Sequence, residues 1–307
     1  MPGTTFTGGD LKVAAMQSIV NVQETLLATK AFSTKVDSTG LGEGDTTQVF
    51  VVGNAPEAEA FDRDDNNYMT DNGGGHAWKP VTLSEHKKLT FKISPQEWRK
   101  LNTTALANLY KPYVSKLCDG IIATAFAKIT QANFSNVLDI GALKDFDKDA
   151  ASKAEKELAK LVGTSGERNL ILNMDYQAAL RESLTGLYVG PTNSQALING
   201  SISGISGFAN VIRTTAIKSA GTAVGKYLVG IATNMSGLAM AFAPVIPPPQ
   251  FDGELEVVSS EETFDIPITF SVDYSKDNRD YVATVECLYG VGVMDGKGIL
   301  RLITEVK

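Results

Sequence analysis

Ser94–Thr130 reads SPQEWRKLNTTALANLYKPYVSKLCDGIIATAFAKIT and carries the longest helical signal in the chain. Ser94 followed by Glu97 makes a capping box, and Pro95 falls at the first helical position, where its missing N–H costs nothing. Trp98, Leu101, Ala105, Leu109, Tyr113, Leu117, Ile121, Ala125 and Ile129 then recur every three or four residues as one apolar stripe. Pro112 interrupts the pattern, so the spacing predicts a kink near Asn108–Tyr113 or two helices in succession. At ~1.5 Å per residue the element would reach roughly 50 Å, long for a domain of this size.

The residues N-terminal to the stripe read as arm and hairpin. Asp10 can cap a helix from Leu11 to about Ala31, and the glycine-rich STGLGEGD of Ser38–Asp45 is a flexible joint. Thr46–Val52 reads as a strand. Lys87–Ser94 reads as its partner, with Leu89, Phe91 and Ile93 on one face. The polar excursion Gly53–Ser84 lies between them. A two-stranded ribbon with so little apolar area is marginal in water, so it is expected to be mobile in a free monomer or docked on a neighbour.

The residues C-terminal to the stripe read as a folded domain. Ala142–Leu161 is an amphipathic helix stopped by Gly163. Asn169–Asn173 is a buried strand, Met174–Glu182 a helix, and Gly186–Asn199 a loop. Ser201–Arg213 is a glycine-punctuated strand pair, Lys226–Ile231 a strand and Asn234–Ala243 a helix. The prolines of Pro244–Pro249 form a stiff connector. Alternation returns at Ile266–Val272, Ala283–Tyr289 and Ile299–Val306.

The totals exclude several classes of function. The chain has 307 residues, is 43% hydrophobic and carries a net charge of −7, which argues against gripping nucleic acid through overall charge. Met1–Asp10 lacks the basic start and apolar run of a signal peptide, and no apolar run approaches the ~20 residues needed to cross a bilayer. Cys118 and Cys287 read as small buried hydrophobes. His76 and His86 read as surface histidines, because their region offers no core to hold a catalytic set rigid. Asp62, Asp64 and Asn66 match the first ligand offsets of a calcium loop. Asn67 and Gly73 stand where such a loop needs Gly and Glu, so a solvated loop tip is expected. Gly200, Gly204 and Gly207 do not fit dinucleotide spacing. Arg99, Lys100, Lys111 and Lys116 give one basic face, read as solvated or as a weak, sequence-blind contact for phosphates.

The order of arm, long polar hairpin, long helix, α/β domain and returning sheet resembles the major capsid proteins of tailed bacteriophages. The resemblance is carried by several stretches: Asn169-Leu-Ile-Leu-Asn-Met-Asp-Tyr176, with Met174 where that family often has Pro; Gly207-Phe-Ala-Asn-Val-Ile212; Tyr227-Leu-Val-Gly230; the Ala-rich helix Asn234–Ala243; and Tyr289-Gly-Val-Gly-Val293. It implies an α+β, Hong Kong 97-like (Johnson) capsid fold. The implied parts are an N-terminal arm (1–45), an extended β-hairpin loop (46–94), a peripheral domain with a spine helix (95–162), an axial domain (163–249) and returning strands of the peripheral domain (250–307).

The implied function is a structural shell subunit that forms pentamers and hexamers and encloses double-stranded DNA with weak, sequence-independent contact. Scaffolding, portal and decoration proteins are the implied partners. The implied place is the virion, after assembly in the host bacterial cytoplasm. No catalytic, cofactor or metal residue is assigned. Assembly contacts are expected at Phe61, Asp62, Asp64, Tyr68, His76 and Trp78 of the hairpin, Arg99 and Lys111 of the helix, and Thr214 and Lys218 of the axial part. An encapsulin-like nanocompartment shell and another phage structural protein are the alternatives. Removing Asp62–His76 is expected to leave a foldable monomer that forms no closed shells. Normal particles under negative stain would refute that.

Overall fold

The computed structural model describes residues 8–19, 23–36, 38, 40–52, 76–163, 166–185, 202–205, 207–219, 224–247, 251–259, 265–277 and 279–306. In chain order the described elements are α1 (Gly8–Ile19), α2 (Gln23–Phe32), β1 (Ser33–Val36), β2 (Thr46–Val52), β3 (His76–Thr82), β4 (Glu85–Ile93), α3 (Pro95–Trp98) and α4 (Thr103–Ala127). Then come β5 (Val137–Asp139), α5 (Lys148–Val162), β6 (Asn169–Asn173), α6 (Met174–Thr185), β7 (Ile202–Ile205), β8 (Phe208–Thr214) and β9 (Gly225–Thr233). The last strands are β10 (Leu238–Ala243), β11 (Glu254–Val258), β12 (Ile268–Ser275), β13 (Asp280–Val293) and β14 (Ile299–Val306).

Strand β13 is the spine of the first sheet. β4 pairs antiparallel along one of its edges. β12 and β10 follow one another along the opposite edge. β11 extends β12, and β1 adds to β10 in parallel. Alternation along β13 sends Ala283, Val285, Cys287 and Tyr289 into the core beneath α4. Tyr110 of α4 meets Phe91 and Phe270 edge-on, each at 5.2 Å between ring centres, and its hydroxyl reaches the Ser271 carbonyl at 3.4 Å. The Tyr289 hydroxyl lies 2.9 Å from that of Thr124. Burial pushes the Cys118 thiol up to about 12 and raises Cys287 further, so both stay protonated hydrophobes.

The second sheet runs β5-β14-β9-β6-β8-β7. Leu170 and Leu172 of β6 face α5 and α6, while Ile171 faces the main core, so this strand is buried on both sides. Asn173 ends β6 and caps α6, its Oδ1 accepting from the Tyr176 N–H at 2.9 Å. Asn169 donates to the Ala31 carbonyl at 3.0 Å and fastens α2 to this sheet.

Several expectations need correction. The N-terminal segment, read as an arm carrying one packed helix, packs into the chain's own main core. Among its described residues it forms two helices rather than one, and Leu11, Ala14, Ala15, Ile19, Ala28 and Phe32 lie in the main core. The Phe32 and Phe126 rings sit 4.9 Å apart.

The long helical stretch is two helices, but the break lies at Arg99–Asn102 rather than at Pro112. Ser94 caps α3 as its sequence says, and Asn102 starts α4 afresh by accepting from the Ala105 N–H at 2.8 Å. Pro112 stays within α4 because it lies on the exposed face, where water can serve the carbonyl it leaves unbonded. In its first turns α4 buries Leu106, Tyr110 and Val114 rather than Ala105, Leu109 and Tyr113, because steps of four drift round a 3.6-residue helix, and Leu109 is 38% exposed; the expected Leu117, Ile121 and Ala125 are buried.

The expected partner strand of the hairpin is also wrong. β2 pairs with β3, whereas β4 belongs to the first sheet. Finally, Asn234–Ala243 is no helix: Leu238–Ala243 is a strand buried along its whole length. Its Leu-Ala-Met-Ala-Phe-Ala alternates large residues toward the main core with alanines toward the ribbon base. This period of two overrides the helical preference of alanine. Sheet membership also crosses the expected domain boundaries, because β10 joins the first sheet and the C-terminal β14 joins the second.

Leu117, 2% exposed, and Leu109 test this phase. Leu117→Asp is expected to abolish soluble folded protein, because it buries an unpaired charge. Leu109→Asp is expected to preserve folding. Soluble yield and circular dichroism distinguish the two.

Candidate assembly surfaces

The ribbon β2–β3 has one covered face and one bare face. In its register Phe50 sits opposite Trp78, and Val52 opposite His76. Alternation turns Val49 and Val51 onto the body of the molecule and Phe50 away from it. On the outer face Phe50 lies 5.1 Å from Trp78 and 5.5 Å from His76 between ring centres. Phe50 is 46% exposed and Trp78 65%. Two aromatic rings held together in water on a preformed strand pair are an uncovered apolar surface, of the kind that marks an interaction site.

The base of the ribbon is anchored within its own chain. Val81 and Leu83 pack with Ala239, Ala241, Ala243, Leu288 and Met294. The Leu83 N–H donates to the Asp45 carbonyl, and the Gly44 N–H to the Leu83 carbonyl, each at 2.9 Å. The Lys79 ammonium donates to the Met294 carbonyl. Gly290 of β13 makes this approach possible, because a Cβ there would stand 2.1 Å from the Thr82 carbonyl oxygen. The expectation of a ribbon that is mobile or held only by a neighbour therefore fails at its base, which packs on its own chain. His86 is a surface histidine, as expected, with Nε2 3.0 Å from Glu286 and Nδ1 3.8 Å from Glu43.

A groove of about 450 Å³ runs between β4 and α4. Phe91, Leu101, Leu109 and Tyr113 give it apolar walls, and Lys92 and Glu97 stand among its lining residues. Tyr113 stacks on Phe91 with ring centres 4.4 Å apart. The Ser94 hydroxyl and N–H hold the Glu97 carboxyl below its usual range.

A second cleft, of about 650 Å³, lies between α4 and the end of β8. Lys116, Arg213, Thr214 and Lys218 line it with Asp119.

The structure divides the expected contact residues. His76 and Trp78 share the aromatic face of the ribbon, and Thr214 and Lys218 share the second cleft. Arg99 is exposed beyond α3 and Lys111 is half-buried on α4; neither lines either cavity. Phe61, Asp62, Asp64 and Tyr68 lie outside the described residues, as does the calcium-like spacing. Among the described residues no group of three acidic, histidine or cysteine side chains could hold a metal, and no helix is long and apolar enough to cross a membrane. Sequence reasoning missed Phe50 and Leu109. The first needed the correct strand partner, and the second needed the drift of four-residue steps round a 3.6-residue helix to be followed.

No family profile matches the sequence, and no curated protein matches it. Solved structures do match in fold. A capsid of an empty GTA particle aligns with a TM-score of 0.58 at 13% identity over 92% of this chain and 90% of that one. The capsid of Ralstonia phage GP4 aligns at 0.57 and 10% identity over 90% and 87%. A virus-like particle from Pyrococcus furiosus aligns at 0.53 and 14% identity over 97% and 98%. The chain has the α+β, Hong Kong 97-like fold that the sequence pattern implied.

Gly290→Val is expected to force the ribbon base off β13 at a cost of about 1–3 kcal/mol. A lowered melting temperature and new proteolytic cleavage near Thr82–Leu83 would show it. An unchanged digest would mean that the glycine is dispensable.

Proposed function

We propose that the chain is the structural subunit of a self-assembled, closed icosahedral shell, and that it has no catalytic role. The observation that carries the reading is the bare Phe50–Trp78 face of a ribbon whose base is fixed, on a fold shared with capsid subunits. A fixed base aims the ribbon, and the aromatic face needs a surface to cover it. The β4–α4 groove of another copy, with Leu109 and Tyr113 in its walls, is a surface of matching character. Aromatic residues of this kind dominate the energetics of interfaces. Contacts from one surface to a different surface on the next copy close into rings, here pentamers and hexamers. Obligate interfaces of this sort bury on the order of 2,000–5,000 Å².

In this reading the first sheet with α4 is the peripheral part, and the second sheet with α5 and α6 is the axial part. The contents are double-stranded DNA, touched weakly and without regard to sequence, and the place is a phage head assembled in the bacterial cytoplasm. Separate scaffolding, portal and decoration proteins complete the assembly. The second reading is an encapsulin-like nanocompartment, in which a shell of the same fold holds other cargo. Nuclease-protected nucleic acid in purified particles separates the two.

Replacing Phe50 and Trp78 together by Ser is expected to leave the monomer's circular dichroism unchanged and to abolish closed particles in electron micrographs. Particles of normal yield and diameter would refute the reading.

A further inference from the structure

We infer that the cleft between α4 and the end of β8 is a binding site for phosphate groups. Its walls bring Lys116 from the helix together with Arg213 and Lys218 from the strand end and the loop beyond it. Asp119 is the carboxylate in the lining, so the cleft gathers three cations beside one carboxylate on a chain whose total is −7. Among the described residues neither Lys116 nor Lys218 takes part in an ion pair. Like charges gathered in one cleft repel each other, and the arrangement becomes favourable when an anion sits among them.

The loop that presents these groups is preformed. Thr214 is buried, and its hydroxyl accepts from the Ala216 N–H at 3.1 Å. Ile217 is anchored in the main core. Asn173 Nδ2 donates to the Lys218 carbonyl at 3.5 Å. Binding therefore does not have to order the loop first.

The chemistry of the lining selects phosphate over carboxylate. The two ammonium groups act as point charges, the Arg213 guanidinium adds to the positive field, and the Thr215 hydroxyl, also in the lining, adds a donor. A carboxylate brings one charge and two oxygens. A phosphate monoester brings about −1.5 to −2 and three terminal oxygens, enough to serve both Lys116 and Lys218. Free phosphate and successive phosphates of a nucleic-acid backbone share this chemistry. The inference stands on the cleft and not on the shell reading: a free subunit can bind phosphate, and particles can form without it.

The test uses the full chain, Lys116→Gln/Lys218→Gln, and the charge-matched control Lys100→Gln/Lys144→Gln, whose residues are exposed and lie outside the cleft. Inorganic phosphate is titrated by calorimetry, and a short fluorescent DNA duplex and an acidic peptide by anisotropy. Phosphate is expected to bind about tenfold more weakly to the cleft variant and unchanged to the control. If the backbone is the source, the duplex shows the same selectivity, and its log–log salt slope falls by about two. If phosphate alone binds, the source is the free ion. Equal losses in variant and control, binding that the cleft variant leaves intact, no binding by either phosphate or duplex, or binding of the acidic peptide alone would overturn the inference. Particle formation is scored separately by electron microscopy, so a failed shell and a failed phosphate site give different results.

Discussion

The packing of strand β13 beneath helix α4 is the contact that organises the molecule. One face of the strand supplies Ala283, Val285, Cys287 and Tyr289 to the core under the helix. Its two edges carry β4 on one side and β12 and β10 on the other. Its far end, at Gly290, lets the Thr82 backbone come close enough to fix the ribbon. A single strand thus sets the helix position, the sheet order and the direction of the ribbon. Close packing transmits any displacement of one of these to the others.

This arrangement explains how a chain can be well packed and still incomplete. Helices α1 and α2 lie in the core, so the N-terminal segment stabilises the subunit itself. Apolar faces left bare among the described residues include a ribbon with aromatic rings facing water and a groove in which Leu109 is 38% exposed. The folding core and the bare faces are made of different residues, so the chain can fold before anything covers those faces. Ordering a ribbon costs ~1–2 kcal/mol per residue, and anchoring its base in the fold offsets part of that before any partner arrives.

Charge is divided in the same way. The chain is acidic overall, which disfavours indiscriminate binding of polyanions. Against that background the Lys116–Arg213–Lys218 cleft is a local exception. It joins residues distant in sequence, so no run of basic residues announces it.

Features with local causes were legible in the residues alone. The Ser94–Glu97 capping box, the Gly163 stop, the Asn169–Asn173 strand and the alternation in Ala283–Tyr289 all stand where the residues put them, and the order of elements was enough to imply the fold. Pairing and phase were legible only in three dimensions. The partner of Thr46–Val52 is His76–Thr82, because Glu85–Ile93 gains more by pairing with β13 in the first sheet. Leu238–Ala243 became a strand because a flat alanine face was needed against the ribbon base and a bulky face against the core. In the first turns of α4 the buried positions moved by one residue, to Leu106, Tyr110 and Val114, and the sheet beneath the helix fixed which residues it covers. In the strand pairings a contact between segments far apart in the chain outweighed a preference of about 1 kcal/mol or less per residue, which is all that a local pattern can express.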